Sequence, residues 1–131
     1  MAAKLSNRGV WFAYYWLPVC LLMAGIFVAS SIPGKAIPGL FPNEDVLYHF
    51  SVYVILSLFF FRALRGSVSG WGILKLMLVT AVFCVLYGAT DELHQLFTPG
   101  RSCSIIDVGV DSLGVLAGSV CGGIYARWQQ A

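Results

Sequence analysis

Charge is scarce in this chain of 131 residues: Asp, Glu, Lys and Arg together make up 11%, where soluble domains average about 25%. With 59% hydrophobic residues and a mean hydropathy of +0.82, that scarcity excludes an ordinary water-soluble domain and leaves a membrane composition. The net charge of +2 is small and its basic residues are scattered, so the clustered footprint of a nucleic-acid binder is missing. Histidine is confined to His49 and His94, and neither HExxH nor HxxxH spacing occurs. Cys20, Cys84, Cys103 and Cys121 show no CxxC spacing, which argues against disulfides and Cys-bound zinc. Three of these cysteines lie in apolar runs as small hydrophobes, and only Cys103, in a polar loop, is expected to be exposed. Length leaves no room for a separate soluble domain, so residues 1–131 read as one unit.

Long apolar runs are what the chain has instead. After a short polar start with Lys4 and Arg8, residues 11–30 carry no charge and are long enough to span a bilayer core. Trp11, Phe12, Tyr14, Tyr15 and Trp16 crowd the start of that run like an interfacial aromatic belt, and Pro18 is expected to kink it. A cleaved signal peptide is the rival reading, disfavoured by the length and aromatic content of the run. Lipidation at Cys20 is disfavoured because Val19 stands where a small residue is needed. Pro33, Gly34, Pro38, Gly39 and Pro42 mark a loop. Residues 45–63 give a second helix, with Arg62 and Arg65 expected to anchor its far end by snorkelling.

A short turn at Gly66 to Gly70 sends the next helix back antiparallel. It is predicted over residues 71–97, about 40 Å at 1.5 Å per residue, until Pro99-Gly100 stops it. Residues 105–126 make the fourth helix, with Ser104 placed to cap it. The expectation is an all-α, four-helix transmembrane bundle without internal repeat. Counting basic residues, Lys4, Arg8, Arg62, Arg65, Lys75 and Arg127 against Lys35 and Arg101 puts both termini in the cytoplasm (N-in/C-in). All six acidic residues then lie near the outer face.

The stretch from Asp91 to Asp111 gathers four of those six acids, His94 and Arg101. Asp107 and Asp111 are one helical step apart, and Gly114, Gly118 and Gly122 continue their face as two overlapping GxxxG steps. The acidic pair should therefore point at a neighbouring helix and not at lipid. Asp45 and His49 repeat the four-residue spacing, with Tyr53 next on their face, while Asp91, Glu92 and Gln95 cluster at the end of the third helix. Ionisable groups at membrane depth are costly, about 2.5–3.5 kcal/mol for Asp at a helix centre, and usually mark a polar cavity.

Three readings of this constellation stay open. In a structural one, Arg101 pairs with Asp107 or Glu92, His49 bonds Asp45, and the network fixes helix register. In a catalytic one, Asp91, Glu92, His94, Asp107 and His49 do general acid/base work, with Arg101, Gln95, Asp45, Asp111 and Tyr53 holding substrate. His49, His94, Asp91, Glu92, Asp107 and Asp111 are also candidate ligands for zinc or a hard metal, although no particular cofactor is indicated. In a third, a cavity recognises a lipid headgroup, a lipid-linked wall precursor or a glycopeptide without chemistry. A Ser102, Cys103 or Ser104 nucleophile is a weaker option, and His94 is equally an interfacial side chain facing headgroups.

Asp91-Glu92-x-His94-Gln95-x-Phe97-x-Pro99-Gly100-Arg101, followed by Asp107 and Gly114 and preceded by Asp45-x-x-x-His49-x-x-x-Tyr53, resembles the VanZ-like family over roughly residues 30–120. The resemblance implies a small multi-pass protein of the bacterial cytoplasmic membrane with an envelope role, some of whose relatives confer low-level teicoplanin resistance. This chain carries Asp111 where that pattern commonly has Asn, and Val46 where it commonly has Lys.

Overall fold

Pro18 decides the first break in the chain. It lacks a backbone N–H, and its ring would clash with the carbonyl one turn earlier, so the first apolar run cannot be one straight helix. The computed structural model, which describes residues 7–36, 39 and 42–131, accordingly has α1 (Arg8–Tyr15) and α2 (Leu17–Ser30) meeting at Trp16 with a bend of 46°. The single helix expected over 11–30 is thus two pieces. Lys4 and Pro38 lie outside the described residues.

A 3-10 turn at Gly34–Ala36 follows, then α3 (Glu44–Ser67), α4 (Ile73–Gln95) and α5 (Ile105–Trp128). Among the described residues there is no strand. The start of α3 is set by Asn43 in the left-handed region at φ 60°, which asparagine tolerates, and by Glu44 and Asp45 in the first turn, where the helix dipole favours acids. The helix runs a turn beyond its predicted end at 63, because nothing before Val68, already extended, stops it. At the other end of the turn, α4 is shorter than the predicted 71–97. Leu96, Phe97 and Thr98 bond the carbonyls three residues back, which tightens the last turn out of α-geometry. Ser104 caps α5 as expected, accepting the Asp107 N–H at 3.2 Å.

α3 and α5 form the closest pair, and the reason is the glycine face of α5. A Cβ on Gly114 would stand 2.5 Å from the Phe50 carbonyl oxygen, and one on Gly118 2.5 Å from that of Val54. Only bare backbone lets these helices come so near. α4 packs across both. At the opposite end α1 folds back on α3: Trp16 Nε1 donates to Ser67 Oγ, and Arg62 donates to the Tyr14 carbonyl while stacking over the Tyr14 ring at 4.1 Å. Arg62 is therefore held by aromatic groups and a helix-end carbonyl.

Burial is inverted relative to a soluble bundle. Outward flanks carry Leu21, Val28, Leu74, Val82, Leu86, Leu116 and Ile124 exposed, whereas Ser57, Thr80, Asp91, Glu92, Gln95, Asp111 and Ser119 are buried. In water so large an apolar exterior would drive association. Three helices are long and apolar enough to cross a membrane, or four if the bent pair counts as one span. The same inversion corrects the cysteine expectation. Cys20 and Cys121 are exposed along with Cys103, because an apolar residue on an outer flank needs no cover, and only Cys84 is buried.

Candidate functional site

The site is built where the start of α3, the end of α4 and the start of α5 meet. The glycine contact that draws α5 onto α3 brings Asp111, one turn before Gly114, against His49, one residue before Phe50. His49 Nδ1 and Asp111 Oδ1 are 2.9 Å apart, and Glu92 Oε1 from α4 is 3.9 Å from the same nitrogen. The three side chains are 5%, 1% and 0% exposed. One ligand atom from each lies within 4.8 Å of the others.

Glu92 is held at both oxygens. Gln95 Nε2 donates to Oε1 at 3.0 Å, and the backbone N–H of Ser104 donates to Oε2 at 3.0 Å. Asp111 is held at one only: Oδ2 is buried and lacks a hydrogen-bond partner, as does the hydroxyl of Tyr53. The Tyr53 ring and Asp111 Oδ2 both pack on Gly88 of α4, where a Cβ would come within 3.2 Å of the ring and 3.3 Å of Oδ2. No lysine or arginine among the described residues pairs with Glu92 or Asp111.

A second polar group ties α2 to α4. Ser30 Oγ donates to Asp91 Oδ2 at 2.8 Å, Thr98 Oγ1 donates to the Ser30 carbonyl, and His94 Nε2 meets Ser31 Oγ at 2.9 Å while its ring stacks on Phe27. Arg101 donates from Nε to the Ile32 carbonyl and from Nη2 to that of Ala29. The Gly34 N–H donates to the Pro99 carbonyl, and the two loops touch so closely that a Cβ on Gly34 would collide with the Gly100 carbonyl. The Pro99-Gly100-Arg101 turn therefore clamps the end of α2.

Most of the residues singled out in the sequence are here, but several partnerships differ. His49 bonds Asp111, not Asp45, which is exposed: packing of α5 offers a buried acceptor, whereas the neighbour four residues back points to the surface. Arg101 pairs with neither Asp107 nor Glu92; it donates instead to the Ala29 carbonyl in the last turn of α2, at the negative end of the helix dipole, and to the Ile32 carbonyl just beyond it. Asp107 is half-buried and outside the triad. His94 and Asp91 belong to the α2–α4 group, so among the described residues the six candidate metal ligands narrow to His49, Glu92 and Asp111. Ser30, Thr98 and Gly88 were missed. A serine or threonine at the end of an apolar helix carries no distinguishing signal, and a glycine between apolar neighbours reads as packing.

Nδ1 of an imidazole against a carboxylate is the arrangement that fixes a histidine's tautomer and orientation for proton transfer or metal binding. A second carboxylate beside it, fixed by its own donors, adds an acid/base partner or ligand. A cavity of about 880 Å³ between Tyr14, Arg62, Arg65 and Gln129 lies at the opposite end and is lined by neither carboxylate nor histidine. Compared with the curated proteins and with the solved structures, the chain matches none significantly. A sequence model of the VanZ/LLP1 family matches residues 15–126, which takes in α2 to α5 and every residue of both polar groups. With that match and the apolar helices of a membrane protein, the chain belongs to the VanZ/LLP1 family.

Proposed function

We propose that this is a four-span protein of the bacterial cytoplasmic membrane, both termini inside, that acts on the headgroup of a phospholipid or lipid-linked wall precursor at the outer face. The consequence is reduced susceptibility to lipoglycopeptides such as teicoplanin. One observation carries this reading: three ionisable side chains from three helices converge in the interior, and no lysine or arginine among the described residues pairs with them. Evolving such a cluster costs several kcal/mol at membrane depth, which a merely structural contact between helices does not need. His49, oriented by Asp111, is the proton-transferring group; Glu92, fixed by Gln95 and Ser104, is its partner. The Arg101 clamp and the Ser30–Asp91 bond hold α2 and its loop over that end. The basic-residue asymmetry supports the orientation.

A second reading has a specific observation in its favour. Glu92 is hydrogen-bonded at both oxygens and His49 is bonded to Asp111, so the network also suits a device that only fixes helix packing. Teicoplanin susceptibility separates the two in cells that express wild type, Asp111→Asn or neither, with membrane levels matched. The proposal predicts that wild type alone lowers susceptibility. Equal protection by the folded variant would leave the packing role.

A further inference from the structure

We propose that His49, Glu92 and Asp111 bind one divalent transition-metal ion, of the Zn²⁺ or Mn²⁺ class. This goes beyond the headgroup reaction and does not require it. Two ligands each about 2.1 Å from a metal stand about 3.0–3.4 Å apart, for right-angled to tetrahedral geometry. The observed separations from Nδ1, 2.9 Å to Asp111 and 3.9 Å to Glu92, bracket that range, so an ion that displaces the proton between Nδ1 and Asp111 is seated with a small ring movement. One imidazole and two carboxylates make a borderline-hard set, which suits Zn²⁺, Mn²⁺ or Fe²⁺ and is too small for Ca²⁺, which takes 6–8 oxygens.

Two further observations point to a ligand. Asp111 Oδ2, in a residue 1% exposed, has no hydrogen-bond partner, and neither has the buried hydroxyl of Tyr53, whose ring packs on Gly88 as Oδ2 does. A cation that takes both oxygens of Asp111 gives Oδ2 the partner it lacks. With His49 neutral and both carboxylates ionised, as a metal would hold them, the triad carries two negative charges with which no lysine or arginine among the described residues pairs, and a divalent ion neutralises them. The supporting shell is also in place, since Gln95 and Ser104 orient Glu92 while leaving each oxygen a lone pair for the metal. Three protein ligands leave an open coordination position.

The test uses the full chain in detergent, stripped with a chelator and equilibrated with Zn²⁺ or Mn²⁺, with bound metal measured by plasma mass spectrometry after desalting and Mn²⁺ followed by electron paramagnetic resonance. Wild type should hold one ion per chain. His49→Ala and Asp111→Asn should weaken binding at least about tenfold, while Asp45→Asn and His94→Ala keep it. Helicity and elution volume report folding; if His49→Ala fails there, the near-isosteric Glu92→Gln takes its place. A wild type that binds neither metal, or folded triad variants that bind as wild type does, would overturn the site. Metal bound without any change in envelope lipids leaves the site standing and removes the headgroup reaction, and the converse result does the opposite.

Discussion

Replacing Gly118 by alanine tests whether the glycine face of α5 brings the site together. The new Cβ would fall on Ser57 Oγ and stand 2.5 Å from the Val54 carbonyl oxygen, where ordinary contact begins at 3.4 Å. Ser57 can turn away, but a helix carbonyl cannot, so α3 and α5 must part by about 1 Å. Overpacking of this kind costs about 1–3 kcal/mol, against about 1 kcal/mol returned by the better helix former. Net destabilisation relative to wild type is therefore about 0–2 kcal/mol. Gly109→Ala on the same helix is the control, because nothing lies within 4 Å of its Cβ, and it should be neutral or slightly stabilising. Unfolding of both variants by SDS in mixed micelles, followed by circular dichroism, gives the difference. If Gly118→Ala unfolds no earlier than Gly109→Ala, the close α3–α5 approach is wrong, and with it the 2.9 Å contact between His49 and Asp111.

Other consequences are as direct. Arg101→Ala removes the guanidinium donor from the carbonyls of Ala29 and Ile32 and should cost about 1–3 kcal/mol, seen as faster amide exchange at the end of α2; unchanged exchange there would dismiss the clamp. Gly34→Ala should loosen the same loop contact, since its Cβ meets the Gly100 carbonyl, and increased protease cutting near residues 31–36 reads it out. A double-mutant cycle of His49→Ala with Asp111→Asn should show coupling of about 1 kcal/mol or more, whereas additive effects would mean the two side chains do not interact. In intact cells, a membrane-impermeant maleimide should modify Cys103 and spare buried Cys84; modification only after permeabilisation would reverse the orientation.

Much of the fold was legible because hydrophobic length is a one-dimensional property. Apolar runs, the break at Pro18, the cap at Ser104 and the glycine face of α5 all follow from local chemistry. Partnerships across the bundle are not local. Spacing by four makes Asp45 look like the natural partner of His49, yet only the approach of α5 decides that Asp111 reaches it. Arg101 looks like an anion binder by residue type, and the acceptors it uses, two carbonyls ending another helix, leave no trace in the sequence. His94 and Asp91 sit beside Glu92 in the chain but turn toward α2, because one helix presents its faces to different neighbours.

Mass spectrometry of total lipids and lipid-linked wall precursors is the most direct test of whether the buried triad does chemistry. Cells would express wild type, Asp111→Asn or neither, with the two proteins at equal membrane levels. A species that appears or disappears with wild type alone is the predicted result, and its mass change would name the reaction. Identical profiles from all three would contradict a headgroup reaction and leave His49, Glu92 and Asp111 to packing or to binding.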